Sequence, residues 1–256
     1  MTGMSAGRRI DGSPPDPALL AERVILVTGA GDGIGRAVAA ACAARRATVV
    51  LLGRTVTKLE SLYDEIVAAG SPRPAIQPLD LTRATWDDYL EVAEALDAQY
   101  GRLDGLLHNA GILGDMSPIE HYDVEVWQRV LHVNLTAPFA LTRACLPVLK
   151  RSADASVVFT SSSVGRKGRA YWGAYAASKA GIESLSEVLA DETGENTPIR
   201  VNSINPGRTR TAMRRLAYPF EDRGRLARPE EIVAPYLYLL GPESRGITGQ
   251  RFDCQA

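Results

Sequence analysis

An α/β fold, built as a single-domain doubly wound parallel sheet, is what this sequence of 256 residues predicts on three observations. Short apolar runs alternate with helical stretches along the chain. The runs are β-branched and almost continuously apolar, as strands buried on both faces are. Glycine-bearing turns follow their carboxyl ends, which is where ligands bind in such sheets.

The elements follow in order. Residues 1–20 are polar and rich in Gly and Pro, so they read as a flexible arm, with residues 21–256 as the folded domain. Arg23 to Thr28 (RVILVT) is a strand, and Ala-rich Ile34 to Arg45 is a helix. Thr48 to Leu52 and Ile76 to Leu79 are strands, with helices over Val56 to Ala69 and Thr85 to Tyr100. Leu103 to His108, Ser156 to Ser161 and Arg200 to Ile204 continue the strands. The intervening helices are Glu125 to Lys150 and Tyr175 to Thr193, with a terminal one at Pro229 to Leu240.

Composition narrows the function. A net charge of −1 lacks the basic excess that binding a phosphate backbone needs, so nucleic acid is not an expected partner. Cys42, Cys145 and Cys254 are far apart without Cys-x-x-Cys spacing, which predicts neither disulfides nor a metal site. Cys42 and Cys145 read as small core residues. No stretch has the length of a membrane span, and the amino-terminal residues lack the apolar core of a signal peptide. The expectation is a cytoplasmic protein.

Thr28-Gly29-Ala30-Gly31-Asp32-Gly33-Ile34-Gly35 lies between strand and helix, where glycines permit a tight turn and let backbone approach a pyrophosphate. The second strand ends in Leu52-Gly53-Arg54, at the distance where dinucleotide-binding units meet the adenosine ribose. A guanidinium there, in place of a carboxylate, matches a 2′-phosphate, so NADP(H) is favoured over NAD(H). Asp80 is placed either to bond the adenine amine or to cap the next helix. Asn109-Ala110-Gly111 offers small residues beside a nicotinamide ribose.

Tyr175 and Lys179 are four residues apart, on one helical face. An ammonium beside a phenol favours the phenolate, so this pairing is expected to lower the Tyr175 pKa towards the range useful for proton transfer. In this order along the chain, the glycine turn, Asn109-Ala110-Gly111, Asn134, Ser162 thirteen residues before Tyr175, Tyr175 to Lys179 and Asn205-Pro206-Gly207 resemble the short-chain dehydrogenase/reductase family, over about residues 22 to 251. More narrowly, LHNAG at 107–111, residues 160–179 and INPGRTRTAM are similar to YciK-type bacterial oxidoreductases.

The resemblance implies a Rossmann fold and transfer of a hydride between NADP(H) and a carbonyl or alcohol substrate. It implies Tyr175 as general acid/base, Lys179 on the nicotinamide ribose, Ser162 on the substrate oxygen and Asn134 positioning a relay water. Gly29, Gly31, Asp32, Gly33, Ile34, Arg54, Asp80, Leu81, Asn109, Ala110, Gly111, Pro206, Gly207 and Thr209 would join Tyr175 and Lys179 in holding the cofactor. It further implies a homodimer or homotetramer. A catalytically silent NADP(H) sensor is the alternative, against which the intact Ser, Tyr, Lys and Asn set argues.

Four departures from the family pattern stand out. His108 replaces a second Asn and reads as structural. Asp32 occupies a loop position that is often basic. The chain stops soon after Phe252. The segment from Pro206 to Pro229 carries Arg208, Arg210, Arg214, Arg215, Arg223, Arg225 and Arg228, which read either as a lid selecting anionic substrates or as solvated charges paired with neighbouring acids. Tyr171 and Trp172 are candidates for the pocket wall.

Overall fold

A computed structural model describes residues 16–255. Seven strands form one parallel sheet: β1 (Val24–Thr28), β2 (Thr48–Gly53), β3 (Ala75–Pro78), β4 (Gly105–His108), β5 (Ala155–Thr160), β6 (Ile199–Asn205) and β7 (Arg251–Asp253). Their spatial order is β3-β2-β1-β4-β5-β6-β7, and every pairing is parallel. The order reverses direction between β1 and β4, which opens a crevice above their carboxyl ends.

Period-two alternation sends each strand's side chains to two cores. Leu26, Leu106, Val157 and Val201 pack with α3 (Trp86–Tyr100), α5 (Ala137–Leu149) and α7 (Gly173–Gly194). Ile25, Val27, Val49, Leu51 and Val158 face the opposite way, against α1 (Gly33–Ala43), α2 (Val56–Ala68) and α9 (Val233–Leu240). All five β1 residues are buried, and each large aliphatic so placed contributes about 1.5–3 kcal/mol. Cys42 and Cys145 are fully buried in these two cores.

Three details depart from the sequence reading. The helix predicted over 125–150 is α4 (Val124–Leu131), a π turn over His132–Thr136, and then α5. Pro138, in the first turn of α5, has no N–H to give the Asn134 carbonyl, and the chain widens there. Strand β7 and the short helices α6 (Ser163–Arg166) and α8 (Ala212–Ala217) went unpredicted, being too short to carry a period. The arm expected over residues 1–20 lies mostly outside the described residues. Within them, Leu20 is fully buried and its N–H donates to Arg45 O at 3.0 Å.

The amino ends of the strands are closed by buried charge. Asp154 accepts from Arg200 Nε at 2.9 Å and from Arg23 Nη1 at 3.1 Å, and the rest of the Arg200 fork reaches the Leu239, Gly241 and Ser244 carbonyls. Asp104, beside it, accepts from Val24 N and Ser152 Oγ. Burial raises the Asp154 pKa, but the two guanidiniums outweigh it and the net shift is downward.

Candidate active site

The glycine turn joins β1 to α1. Gly29 has φ of +69°, and a Cβ added to it would lie 3.0 Å from Ala110 Cα. At Gly35 an added Cβ would fall 2.4 Å from Gly29 O, so this turn closes only without side chains. Thr28 Oγ1 links it to the next strand end, accepting from Asn109 N and Ala110 N at 3.0 Å each. Asp32 caps α1, accepting from Gly33 N at 2.7 Å.

Above the carboxyl ends of β1, β2, β4, β5 and β6 runs a cleft of about 450 Å³. At one end it is lined by Gly29, Gly31, Asp32, Gly33, Ile34, Arg54, Asp80 and Leu81. Asn109, Ala110 and Gly111 line its middle, and Ser162, Tyr175, Lys179, Pro206, Gly207 and Thr209 the other end. These glycine-lined walls leave room for an extended dinucleotide, which is the physical test that such a group fits. Asp80 also closes its own turn, accepting from Thr82 N at 3.0 Å and Thr82 Oγ1 at 2.8 Å.

Ser162 and Tyr175 line the same end of the cleft, and the Ser162 hydroxyl favours the ionised phenol. Lys179, on the same face of α7, donates to Thr160 O at 2.7 Å, and its Nζ stands 5.7 Å from the Tyr175 ring centre. The expected fall in the phenol pKa is not present in the chain by itself. Burial pushes Tyr175 up to about 12, opposed by Ser162, while the Lys179 ammonium donates to a carbonyl. Burial also lowers Lys179 to about 8, opposed by Glu183.

Asn134 is the one predicted site residue that does not line the cleft. Its amide is spent on positioning: Oδ1 accepts from Ile112 N at 2.8 Å, while Nδ2 donates to Ile112 O at 2.9 Å and Ser178 Oγ at 3.1 Å. It thereby clamps the backbone that follows Asn109-Ala110-Gly111. His108 is buried below the site, with Nε2 2.7 Å from Thr142 Oγ1 and its ring stacked 4.8 Å from Phe159. Burial drops its pKa to about 3, so it stays neutral.

Several residues went unnoticed in the sequence. Ser161 Oγ is buried at the cleft without a partner among the described residues. Thr55 and Lys58 line the Arg54 end, and Met213 and Ala217 the Tyr175 end beside Arg214, which the sequence places in the candidate lid. Gln255 Nε2 donates to Pro206 O at 2.7 Å and so ties the carboxyl terminus to the turn after β6. No local pattern announces such contacts.

The arginine-rich segment carries α8. Arg214 is held by both Glu221 oxygens at 2.6 Å and lies 3.8 Å over the Tyr218 ring. Arg225 and Arg228 pair with Asp222 and Glu231. Trp172 is 8% exposed on the cleft wall, whereas Tyr171 faces solvent. The wall made by Leu113, Trp172, Met213 and Ala217 is apolar. Among the described residues, no group of acidic, His or Cys side chains could hold a metal, and no helix is long and apolar enough to cross a membrane.

Known proteins share this arrangement. A curated Escherichia coli protein, the uncharacterized oxidoreductase YciK, is 50% identical over 94% of this chain and 95% of its own length. The solved structure of yciK from E. coli superposes with a TM-score of 0.92 at 50% identity, over 94% of this chain and 98% of that one. A short chain dehydrogenase from Escherichia coli CFT073, solved with NADPH, gives a TM-score of 0.91 at 51% identity, over 94% and 100% of the two chains. The family model for short chain dehydrogenases matches residues 23–222. With its glycine turn, parallel sheet and Ser-Tyr-Lys wall in one cleft, the chain belongs to the short chain dehydrogenase family and is an oxidoreductase of the YciK type.

Proposed function

We propose that this protein is an NADP(H)-dependent oxidoreductase that interconverts a carbonyl and an alcohol, with Tyr175 as general acid/base. The observation that carries the reading is one wall bringing Ser162, Tyr175 and the buried Lys179 together at the end of a glycine-lined cleft. Arg54 at the far end, and the NADPH held by the E. coli CFT073 structure, support the phosphorylated cofactor.

When bound, the nicotinamide supplies or takes up the hydride. The protein's own part is protonic. With its pKa near 12, Tyr175 keeps its proton at neutral pH and can give it to an alkoxide forming on the substrate carbon. Ser162 would donate a hydrogen bond to the same substrate oxygen, and Lys179, which donates to Thr160 O, would offer a further N–H to the ribose hydroxyls. Asn134 acts through the Ile112 backbone that its side chain clamps.

A cytoplasmic homodimer or homotetramer goes with this reading. The three cysteines are buried as free thiols, as in a reducing compartment, and Phe139 on α5 and Val188 on α7 expose apolar surface suited to a second copy.

The test is direct. NADPH absorbance followed across aldehydes, ketones, quinones and β-ketoacyl thioesters should show turnover, with NADPH bound more tightly than NADH. Arg54→Ala should narrow that preference. Equal affinity of the wild type for the two cofactors, or no turnover on any member of the panel, would overturn the reading.

A further inference from the structure

The adenosine end of the cleft holds two cations. Arg54 opens the β2–α2 connection and makes no ion pair within 4.0 Å among the described residues, although its field reaches Asp80. Lys58 sits in the first turn of α2 and lines the same wall, its Cβ 3.1 Å from where a side chain on Gly31 would begin. Its ammonium is 2.5 Å from Asp32 Oδ2 across the cleft mouth. Asp32 therefore brings a negative charge to the loop that a nucleotide's phosphates approach, and Lys58 covers it.

We propose that Lys58 is a second specificity determinant for the 2′-phosphate of NADP(H), moving from Asp32 to the phosphate when the cofactor binds. The inference rests on the cofactor reading above.

Both partners of the Asp32–Lys58 pair are about half exposed, with side chains 63% and 52% accessible, so parting them takes little free energy. A phosphate with nearly two negative charges is the stronger acceptor. Arg54 alone leaves much of that charge uncompensated, and a flexible four-carbon lysine based one helical turn away can reach it. Asp32 keeps its other task throughout, since Oδ1 caps α1 while Oδ2 holds the lysine.

Calorimetry with NADPH, NADH and 2′,5′-ADP tests this without turnover. Lys58→Met should weaken NADPH and 2′,5′-ADP about tenfold, leave NADH unchanged, and be largely rescued in Lys58→Arg. Asp32→Asn retains the helix cap, removes the competing acceptor and should tighten 2′,5′-ADP about threefold. Preserved NADPH preference in Lys58→Met would overturn the Lys58 proposal while leaving the cofactor reading intact. Equal weakening of both cofactors would reduce Lys58 to a structural residue of the loop, and weaker 2′,5′-ADP binding in Asp32→Asn would overturn the exchange. Absence of any NADPH preference in the wild type would overturn the cofactor reading as well.

Discussion

The two ends of the sheet use polar groups in opposite ways. At the amino ends, Asp154, Arg200 and Asp104 are buried with Arg23 beside them, and apart from Arg23 Nε they are spent on one another and on backbone groups. At the carboxyl ends, Ser161 Oγ has no partner among the described residues, Tyr175 and Lys179 are held away from their ordinary pKa values, and glycines leave room along the cleft. One end is closed by ion pairs and the other is poised. The same β5 and β6 run from one to the other, so stability and chemistry are separated along the strands rather than between domains.

This separation can be broken deliberately. The largest stability effect is expected from Asp154→Ala, which strands two buried guanidiniums and should remove about 3–5 kcal/mol. Urea unfolding would measure it, and the fraction still folded should turn over normally. Tyr175→Phe is the mirror case. Loss of one hydroxyl should lower kcat/KM at least about 100-fold with the unfolding midpoint unmoved, and retention of more than a tenth of wild-type turnover would contradict the assigned role.

Gly35→Ala tests the glycine turn, since its methyl would fall 2.4 Å from Gly29 O while Gly168→Ala meets nothing within 4 Å. The first should be destabilised by about 1–3 kcal/mol and bind NADPH poorly, and the second should match the wild type. An effect confined to acid pH, and so small under ordinary conditions, sharpens the boundary between the ends. The His108 pKa is about 3 in the fold against an ordinary 6.5, so the unfolded chain binds more protons between those values. His108 therefore contributes stability that is full above pH 6.5 and is lost as pH falls towards 3. His108→Asn should flatten stability against pH over that window, as read by thermal melts, on top of a pH-independent loss from the missing Phe159 stacking.

What the sequence by itself determined is whatever depends on neighbours in the chain. A strand, a glycine turn and a helix are consecutive, and Tyr175 and Lys179 share a helical face by their spacing alone, so the fold class and most of the cleft were legible. Only the tertiary structure decided the rest, because it depends on which distant groups meet and how much water they lose. Asp32 and Lys58 are joined across two helices, and Arg214 is closed onto Glu221. Asn134 turns from the cleft to Ile112, a direction set by the π turn that Pro138 imposes. The pairing of Lys179 with Tyr175 predicted a lowered phenol pKa, but burial raises it, and the ammonium donates to Thr160 O. Desolvation is a property of the whole packed molecule, and no local spacing records it.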